Sequence, residues 1–481
     1  SSDASISLGR FDQYALPFYR HSLAGGNAET ELEQQFAALV DKLNHYGDAA
    51  CALNLGGLDA AGQDQCNALT RLVVRVCKAK LKPAPILAAR IHPEFPGDLF
   101  DELIDPALFA IGQPTFYGEE SCRNALRKRG VPEADVVRWA ANSCMGLAVE
   151  GCEVSNMWGG VVNFLLPLEL ALNGGKPFHK ALPMELNTSP AQAPESFAEL
   201  KESFLGYLRE ITDFCIASCR AATDLVRCER PNPYLSAFLN HCTERGKDRL
   251  DGGTDYHIAI IEAFGLVNAA DALYAINALC FDLKRYCLDD LISAARANFD
   301  GHEALLQEIR ALPKYGNGNA DVDGFAVDLA DHFQRIVRAH SSAGSCFAPS
   351  FHTLNAHVGA GEKCGASLDG RRAGEPLAKN IGASAGNATA GLTALIRSAA
   401  AIDQAPFFGG QALDISIEAK LVGNAEDKRK VQALIQTYFS LGGLQVQVNG
   451  LCPDTLAKAM EKPDAYRDLI VRIGGYSDYF N

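Results

Sequence analysis

The segment RIGGYSDYFN (472–481) places two adjacent glycines, Gly474 and Gly475, between a basic-apolar pair and an aromatic run. Glycine weakens strands and helices and is kept for turns that need positive φ. A turn is the ordinary expectation. The alternative is that one Cα must carry no side chain because chemistry takes place on it.

The chain has 481 residues, 48% of them hydrophobic, with 44 Lys and Arg against 58 Asp and Glu for a net charge of −14. That is ample for a large core and predicts a globular protein. The basic residues are scattered and leave no nucleic-acid footprint. The opening SSDASISLGRFDQY (1–14) has no apolar core of signal-peptide length, and no stretch approaches the roughly 20 apolar residues that span a bilayer. A soluble protein with no membrane partner is expected. The 15 cysteines are dispersed without a CxxC pair, which fits neither a disulfide framework nor a zinc ribbon and points to a reducing cytoplasm. Cys215 and Cys219 share a helix face but lack further ligands at metal spacing, so they are expected to be core.

Residues 28–46 put Leu32, Phe36, Leu39 and Leu43 on one helical stripe, and 51–55 then reads as a strand. The alternation continues. Helices are predicted over 63–79, after Pro132, and over 162–174, 196–228 and 258–280; strands are predicted at ILAARI (86–91) and near Cys144. This is α/β material. LPMELNTSPAQAP (182–194) and YGNGNADVDG (315–324) read as surface loops, leaving one catalytic domain over 1–481 with a distinct C-terminal segment from about 445.

Several motifs can be set aside. GAGEKCG (359–365) lacks the G-K-[ST] ending of a phosphate loop. Asp321 and Asp323 have no closing glutamate for calcium and read as turn residues. No G-x-S-x-G elbow exists, and Ser350 and His352 carry no triad signature. His92, His257 and His357 are possible acid/base groups, although a lone histidine is more often a hydrogen-bonding residue. Cys144, in RWAANSCMGLAVEGCEV (138–154), sits on a predicted strand where a thiol at the strand end faces a pocket or packs inertly in the core; Cys152 is its rival.

VRIGGYSDYF (471–480) resembles the glycyl radical signature of the pyruvate formate-lyase superfamily, which includes the glycerol and diol dehydratases. Further blocks are similar and occur in the family's order: ALNLGGLDAAGQD (52–64), GVPEADVVRWAANSC (130–144), NFLLPLELALNGG (163–175), FGLVNAADALYAI (264–276), PKYGN (313–317), AHVGAGEKCGASLDGRRAGEPLA (356–378) and TYFSLGGLQVQVN (437–449). The resemblance implies that Gly475, immediately before the tyrosine, carries the radical, with Gly474 its neighbour. A Cα radical is stabilised by the flanking amide and carbonyl when the centre becomes planar, and the missing Cβ removes the steric obstacle. The family's catalytic cysteine stands at fixed distances after the R-G-V/I-P helix start and before the N-L helix. Cys144 keeps both, from Gly130 and to Asn163, whereas Cys152 keeps neither.

By the same resemblance the fold is a ten-stranded α/β barrel of two antiparallel half-barrels, incomplete if the chain is short. The activity is that of a lyase that cleaves a C–C or C–heteroatom bond of a small substrate by thiyl-initiated hydrogen abstraction. An S-adenosylmethionine iron–sulfur activase installs the radical, the mature enzyme binds no metal or other cofactor, and a homodimer is expected. The sequence also departs from its relatives. Eliminases read G-C-V-E at the cysteine, where this chain reads Ser143-Cys144-Met145-Gly146 and lacks the acid/base glutamate. The paired cysteines of formate acyltransferases are reduced to one, which weighs against the alternative of acyl transfer from a 2-keto acid to coenzyme A. Glu119 in PTFYGEE (114–120) replaces an aspartate of the eliminases and either orients a substrate hydroxyl or ammonium or is a helix-start carboxylate. Arg90 in LAARIH (87–92) meets either a substrate carboxylate or a structural partner. Members usually have several hundred residues before GRFDQY (9–14) and some twenty after the glycyl loop, so a fragment, a non-catalytic or split subunit needing a partner chain, or a short member is expected.

Overall fold

The strands follow in chain order as β1 Ala52–Gly56, β2 Ile86–Ile91, β3 Thr115–Gly118, β4 Trp139–Asn142, β5 Gly146–Val149, β6 Glu153–Asn163, β7 Tyr256–Phe264, β8 Cys346–Ser350, β9 Ala412–Ser416, β10 Gln445–Asn449, β11 Ile470–Ile473 and β12 Tyr476–Tyr479. The computed structural model describes residues 7–46, 51–178, 194–342, 346–450, 453–473 and 476–479. It divides into two compact units, residues 1–153 with 404–481, and residues 154–403.

The first unit is built on a five-stranded sheet in the order β1-β2-β3-β10-β9. β1, β2 and β3 are parallel, β10 runs antiparallel to β3, and β9 is parallel to β10. Because side chains alternate along a strand, register sorts the residues onto two faces. Leu53, Leu55, Leu87, Ala89, Ile91, Phe116, Val446, Val448, Leu413 and Ile415 fall on one. Asn54, Arg90, Thr115, Tyr117, Gln445 and Gln447 fall on the other and are nonetheless buried. A sheet with one apolar and one polar face is ordinarily wet on the polar side. Here the polar face is turned inward, and its groups must be satisfied by protein.

The apolar face is sealed by helices. Helix Ala68–Lys80 starts at a capping box, Asn67 with Thr70, and buries Leu69, Leu72, Val73, Val76 and Cys77 along one stripe. Helix Ala425–Ser440 packs on β3, and Phe100 and Phe109 meet Phe116 at ring-centroid distances of 5.8 and 6.5 Å. Burial of each such ring contributes about 1.5–3 kcal/mol.

The second unit holds a three-stranded sheet, β6-β7-β8, with β7 and β8 parallel. Its long helix Phe197–Glu229 brings Cys215 and Cys219 against Gly160 and Gly159 of β6: a Cβ added at those glycines would meet Cys215 Cβ at 3.1 Å and Cys219 Sγ at 3.2 Å. These thiols therefore serve close packing. Among the described residues the sheets have five, three and two strands, and no closed ten-stranded barrel is formed.

Three local expectations are corrected. Residues 258–280 are not one helix: YHIAIIEAF forms β7, Gly265 at φ 76 breaks the chain, and helix Leu266–Ile276 follows. A continuous apolar run does not distinguish a buried strand from a helix, and the isoleucines favour the strand. Asp321 and Asp323 are not loop residues but lie in the first turn of helix Ala320–Ala339, which Asn319 caps by accepting from the Asp321 amide. Cys144 lies not on a strand but in the turn between β4 and β5. The 182–194 loop falls largely outside the described residues.

Candidate active site

The β4–β5 hairpin is held at three points by side chains of the buried polar face. Asn54 Oδ1 accepts from Ala141 N at 2.7 Å, and Arg90 Nη1 donates to Trp139 O at 3.0 Å. Tyr117 Oη and Gln445 Nε2 donate to Cys144 O at 3.3 and 3.1 Å. Gln445 Nε2 also donates to Tyr117 Oη at 2.9 Å, which closes the triangle. Burial keeps the Tyr117 hydroxyl well above its ordinary pKa, so it remains a protonated donor. The turn that carries Cys144 is sharp, with Ser143 at φ 56 and its hydroxyl 3.6 Å from Cys144 Sγ. Gly410, at φ 124, has no Cβ to collide with Met145 next door. Cys144 as a whole is 5% exposed.

One step along the same strands, Arg472 is held in the same manner. Its Nε donates to Gln447 Oε1 at 3.1 Å and its Nη2 to Thr115 Oγ1 at 2.8 Å. The stem of Arg472 lies over Gly112, where an added Cβ would meet Arg472 Cβ at 2.5 Å. Burial pushes the Arg472 pKa down, opposed by Asp414, Cys144 and Tyr117, so the guanidinium and the cysteine share one electrostatic neighbourhood. Arg472 lies on β11, which pairs antiparallel with β12 from Ile470 opposite Tyr479 to Ile473 opposite Tyr476. Gly474 and Gly475 lie between those strands and outside the described residues.

Arg90 and Glu119 meet each other. Glu119, at the start of helix Glu119–Arg129 and fully buried, accepts from Arg90 Nη2 at 2.8 Å, Arg123 Nε at 2.7 Å and Leu58 N at 3.2 Å through Oε1. Its Oε2 accepts from Arg90 Nε at 2.8 Å and Trp139 Nε1 at 3.1 Å. Burial alone would raise its pKa; Arg90 and then Arg123 outweigh that and hold it below the ordinary carboxylate range. Arg90 also stacks over the Trp139 ring at 4.3 Å. A cavity of about 460 Å³ opens beside Glu119, lined by His92, Gly118, Ser121, Thr437 and Phe439 but not by Cys144. His92 is occupied by Asp64 at 3.0 Å, and His357 by the Leu354 carbonyl at 3.0 Å.

Tyr117, Gln445, Gln447 and Thr115 were not singled out from sequence. The signal was the strict polar-apolar alternation of QVQVN (445–449), which marks a two-faced strand but not that its polar face is buried.

The fold and this arrangement define a class, and comparison with known proteins agrees. Residues 1–361 match the model of the family described as pyruvate formate lyase-like, and residues 377–481 match that described as glycine radical. The chain belongs to the pyruvate formate lyase-like family. It is 27% identical over its whole length to (2S)-3-sulfopropanediol dehydratase of Klebsiella oxytoca, of which it covers 61%. It is also 27% identical, over 99% of its length, to isethionate sulfite-lyase of Bilophila wadsworthia, of which it covers 60%. The solved structure of trans-4-hydroxy-L-proline dehydratase from Clostridioides difficile, with its substrate bound, superposes with a TM-score of 0.93 at 27% identity, covering 98% of this chain and 62% of that one. The α/β fold is thus that of the glycyl radical enzymes. The chain spans about three fifths of the length of these relatives. Among the described residues no helix is long and apolar enough to cross a membrane.

Proposed function

We propose that this chain carries the radical machinery of a glycyl radical lyase acting on a small organic molecule. The observation that carries this reading is that neighbouring positions of one buried polar sheet face, Tyr117 with Gln445 and Thr115 with Gln447, hold Cys144 and Arg472, Arg472 being three residues from Gly475. Gly475 is the radical carrier. Cys144, whose thiol is shielded from water, passes its hydrogen atom to the glycyl radical, and the thiyl so formed abstracts hydrogen from the substrate. Cleavage of a C–C or C–heteroatom bond follows, and Cys144 returns the hydrogen. The protein's part is to position groups and exclude water, since the radical performs the difficult step.

The partner that makes the glycyl radical is an S-adenosylmethionine activase with an iron–sulfur cluster. The chain works in the cytoplasm, without oxygen, as one catalytic domain over 1–481 whose radical segment begins near 445, and as a homodimer. Arg90 and Glu119 stay in the proposed site on different terms: a substrate group reaches Glu119 by displacing one of its donors, Arg90, Arg123, Trp139 or the Leu58 amide. The breadth of the relatives, a dehydratase and a sulfite-lyase, supports a lyase and leaves the leaving group open. Cys144→Ser tests the assignment. An alcohol O–H bond is too strong to yield hydrogen to a glycyl radical, so the variant keeps the radical after activation and loses turnover. Turnover by the variant would overturn the choice of Cys144.

A further inference from the structure

β3 and β10 pair antiparallel with Tyr117 opposite Gln445 and Thr115 opposite Gln447. The first pair grips the carbonyl of Cys144, and the second grips the guanidinium of Arg472. The two pairs are consecutive on one face, and a two-residue step along a strand is about 6.7 Å. All four side chains are buried, at 0–1% exposure, and both grips are made by side chains of a rigid sheet. The β4–β5 turn and the β11–β12 hairpin thus rest on one pair of strands, one step apart.

We propose that these two cross-strand pairs are a ruler that sets the separation between Cys144 and the glycine-bearing hairpin, making Thr115, Tyr117, Gln445 and Gln447 positioning residues for hydrogen transfer. This rests on the assignment of Cys144 and Gly475 to the radical relay. Transfer of a hydrogen atom demands near contact, and a displacement of about 1 Å costs on the order of a hundredfold in rate. Two segments on flexible loops would not hold such a separation. Two segments pinned to adjacent rungs of one ladder do.

Hydrogen exchange in the activated protein reads this out. In D2O the Cys144 thiol carries deuterium. The glycyl radical takes that deuterium to give a CHD centre and a thiyl, and the thiyl then removes either H or D. Loss of H leaves a deuterated glycyl radical and an S–H thiol that re-exchanges with solvent. The glycyl doublet in the electron paramagnetic resonance spectrum therefore collapses at the rate of transfer, whereas the radical yield reports only activation. Tyr117→Phe combined with Gln445→Leu, and separately Thr115→Val, should leave radical yield near wild type and lower the melting temperature, since each removes a buried hydrogen bond, while slowing collapse about tenfold or more. Collapse at the wild-type rate in both would overturn the ruler. Tyr117→Phe alone, which deletes one hydroxyl, serves the same test if the double variant does not fold. Cys144→Ser separates the two levels: no collapse in that variant keeps the relay assignment whatever the ruler variants do. Collapse there at the wild-type rate removes the assignment and the ruler together.

Discussion

Arg472 Nη2 donates to Thr115 Oγ1 at 2.8 Å, and Thr115 stands two residues from Tyr117, whose hydroxyl donates to the Cys144 carbonyl at 3.3 Å. The C-terminal hairpin and the cysteine turn, more than 300 residues apart in sequence, are thereby joined through one short strand. Buried polar side chains cost free energy unless paired. The sheet's inner face carries several: Asn54, Arg90, Tyr117 and Gln445 bond the cysteine hairpin, Thr115 and Gln447 bond Arg472, and Arg90 also bonds Glu119. Much of the polar face's hydrogen bonding goes to holding those two segments.

The Arg90–Glu119 cluster predicts an asymmetric mutational response. Removing Arg90 alone, as in Arg90→Met, leaves Glu119 buried with less positive charge around it and should cost about 3–5 kcal/mol. Arg90→Met with Glu119→Leu removes both charges but orphans Arg123 less severely, because Arg123 keeps the Leu58 and Asp59 carbonyls. It should cost less than the single change. Urea denaturation of the three proteins decides this, and a double variant worse than Arg90→Met would contradict it.

The same cluster predicts acid sensitivity. Glu119 has a folded pKa below its unfolded value, so its contribution is present above about pH 4.3 and is lost as pH falls through the lower folded pKa. In Glu119→Gln the stability of the first unit should fall less steeply with acid, although the variant starts less stable. A pH series of denaturation midpoints checks the slope.

Glu262 and His352, in the second unit, predict the opposite limb. They lie 3.3 Å apart and are both buried, and burial pushes Glu262 up to about 9 and His352 down to about 4. An ion pair would move both the other way, so they are a neutral pair. Glu262 stays protonated when folded and ionises when unfolded, so its contribution declines as pH rises from about 4.3 toward 9. His352 is the mirror case, losing stability as pH falls below about 6.5. Above pH 6.5 only the Glu262 slope remains, approaching about 1.4 kcal/mol per pH unit. Glu262→Gln should flatten it, as read by denaturation between pH 6.5 and 9.

Gly112 predicts a local lesion at the hairpin anchor. Its φ of 67 and the 2.5 Å approach of Arg472 mean that Gly112→Ala both strains the backbone and displaces the arginine stem. A loss of about 1–3 kcal/mol is expected, whereas Gly130→Ala, at a helix C-cap with open space, should pay only the backbone strain of about 1–2 kcal/mol. Comparison of the two melting temperatures separates the contact from the strain.

Much of this was legible in the sequence. β1, β2 and the helices Ala68–Lys80 and Phe197–Glu229 followed from periodicity, and the order of the quoted blocks is what proposes Cys144 and Gly475. What was not legible is tertiary. The Gln-Val alternation of β10 reads as a half-exposed strand until five strands and the β4–β5 hairpin enclose its glutamines. For Glu119 and Arg90 the sequence offers a substrate contact or a structural role for each, and local spacing does not reveal that β2 and the Glu119 helix bring the two together. The isoleucine run of β7 reads as helix from sequence because buried strands and buried helices share an apolar composition.

The central claim, that Gly475 carries a radical, is tested most directly by electron paramagnetic resonance. The protein and its Gly475→Ala variant would each be treated without oxygen with S-adenosylmethionine and an activase shown to be competent on another target. The account predicts a doublet split by a single α-hydrogen in the native chain and no such signal in the variant. The same doublet in Gly475→Ala, or its absence from the native chain, would contradict it.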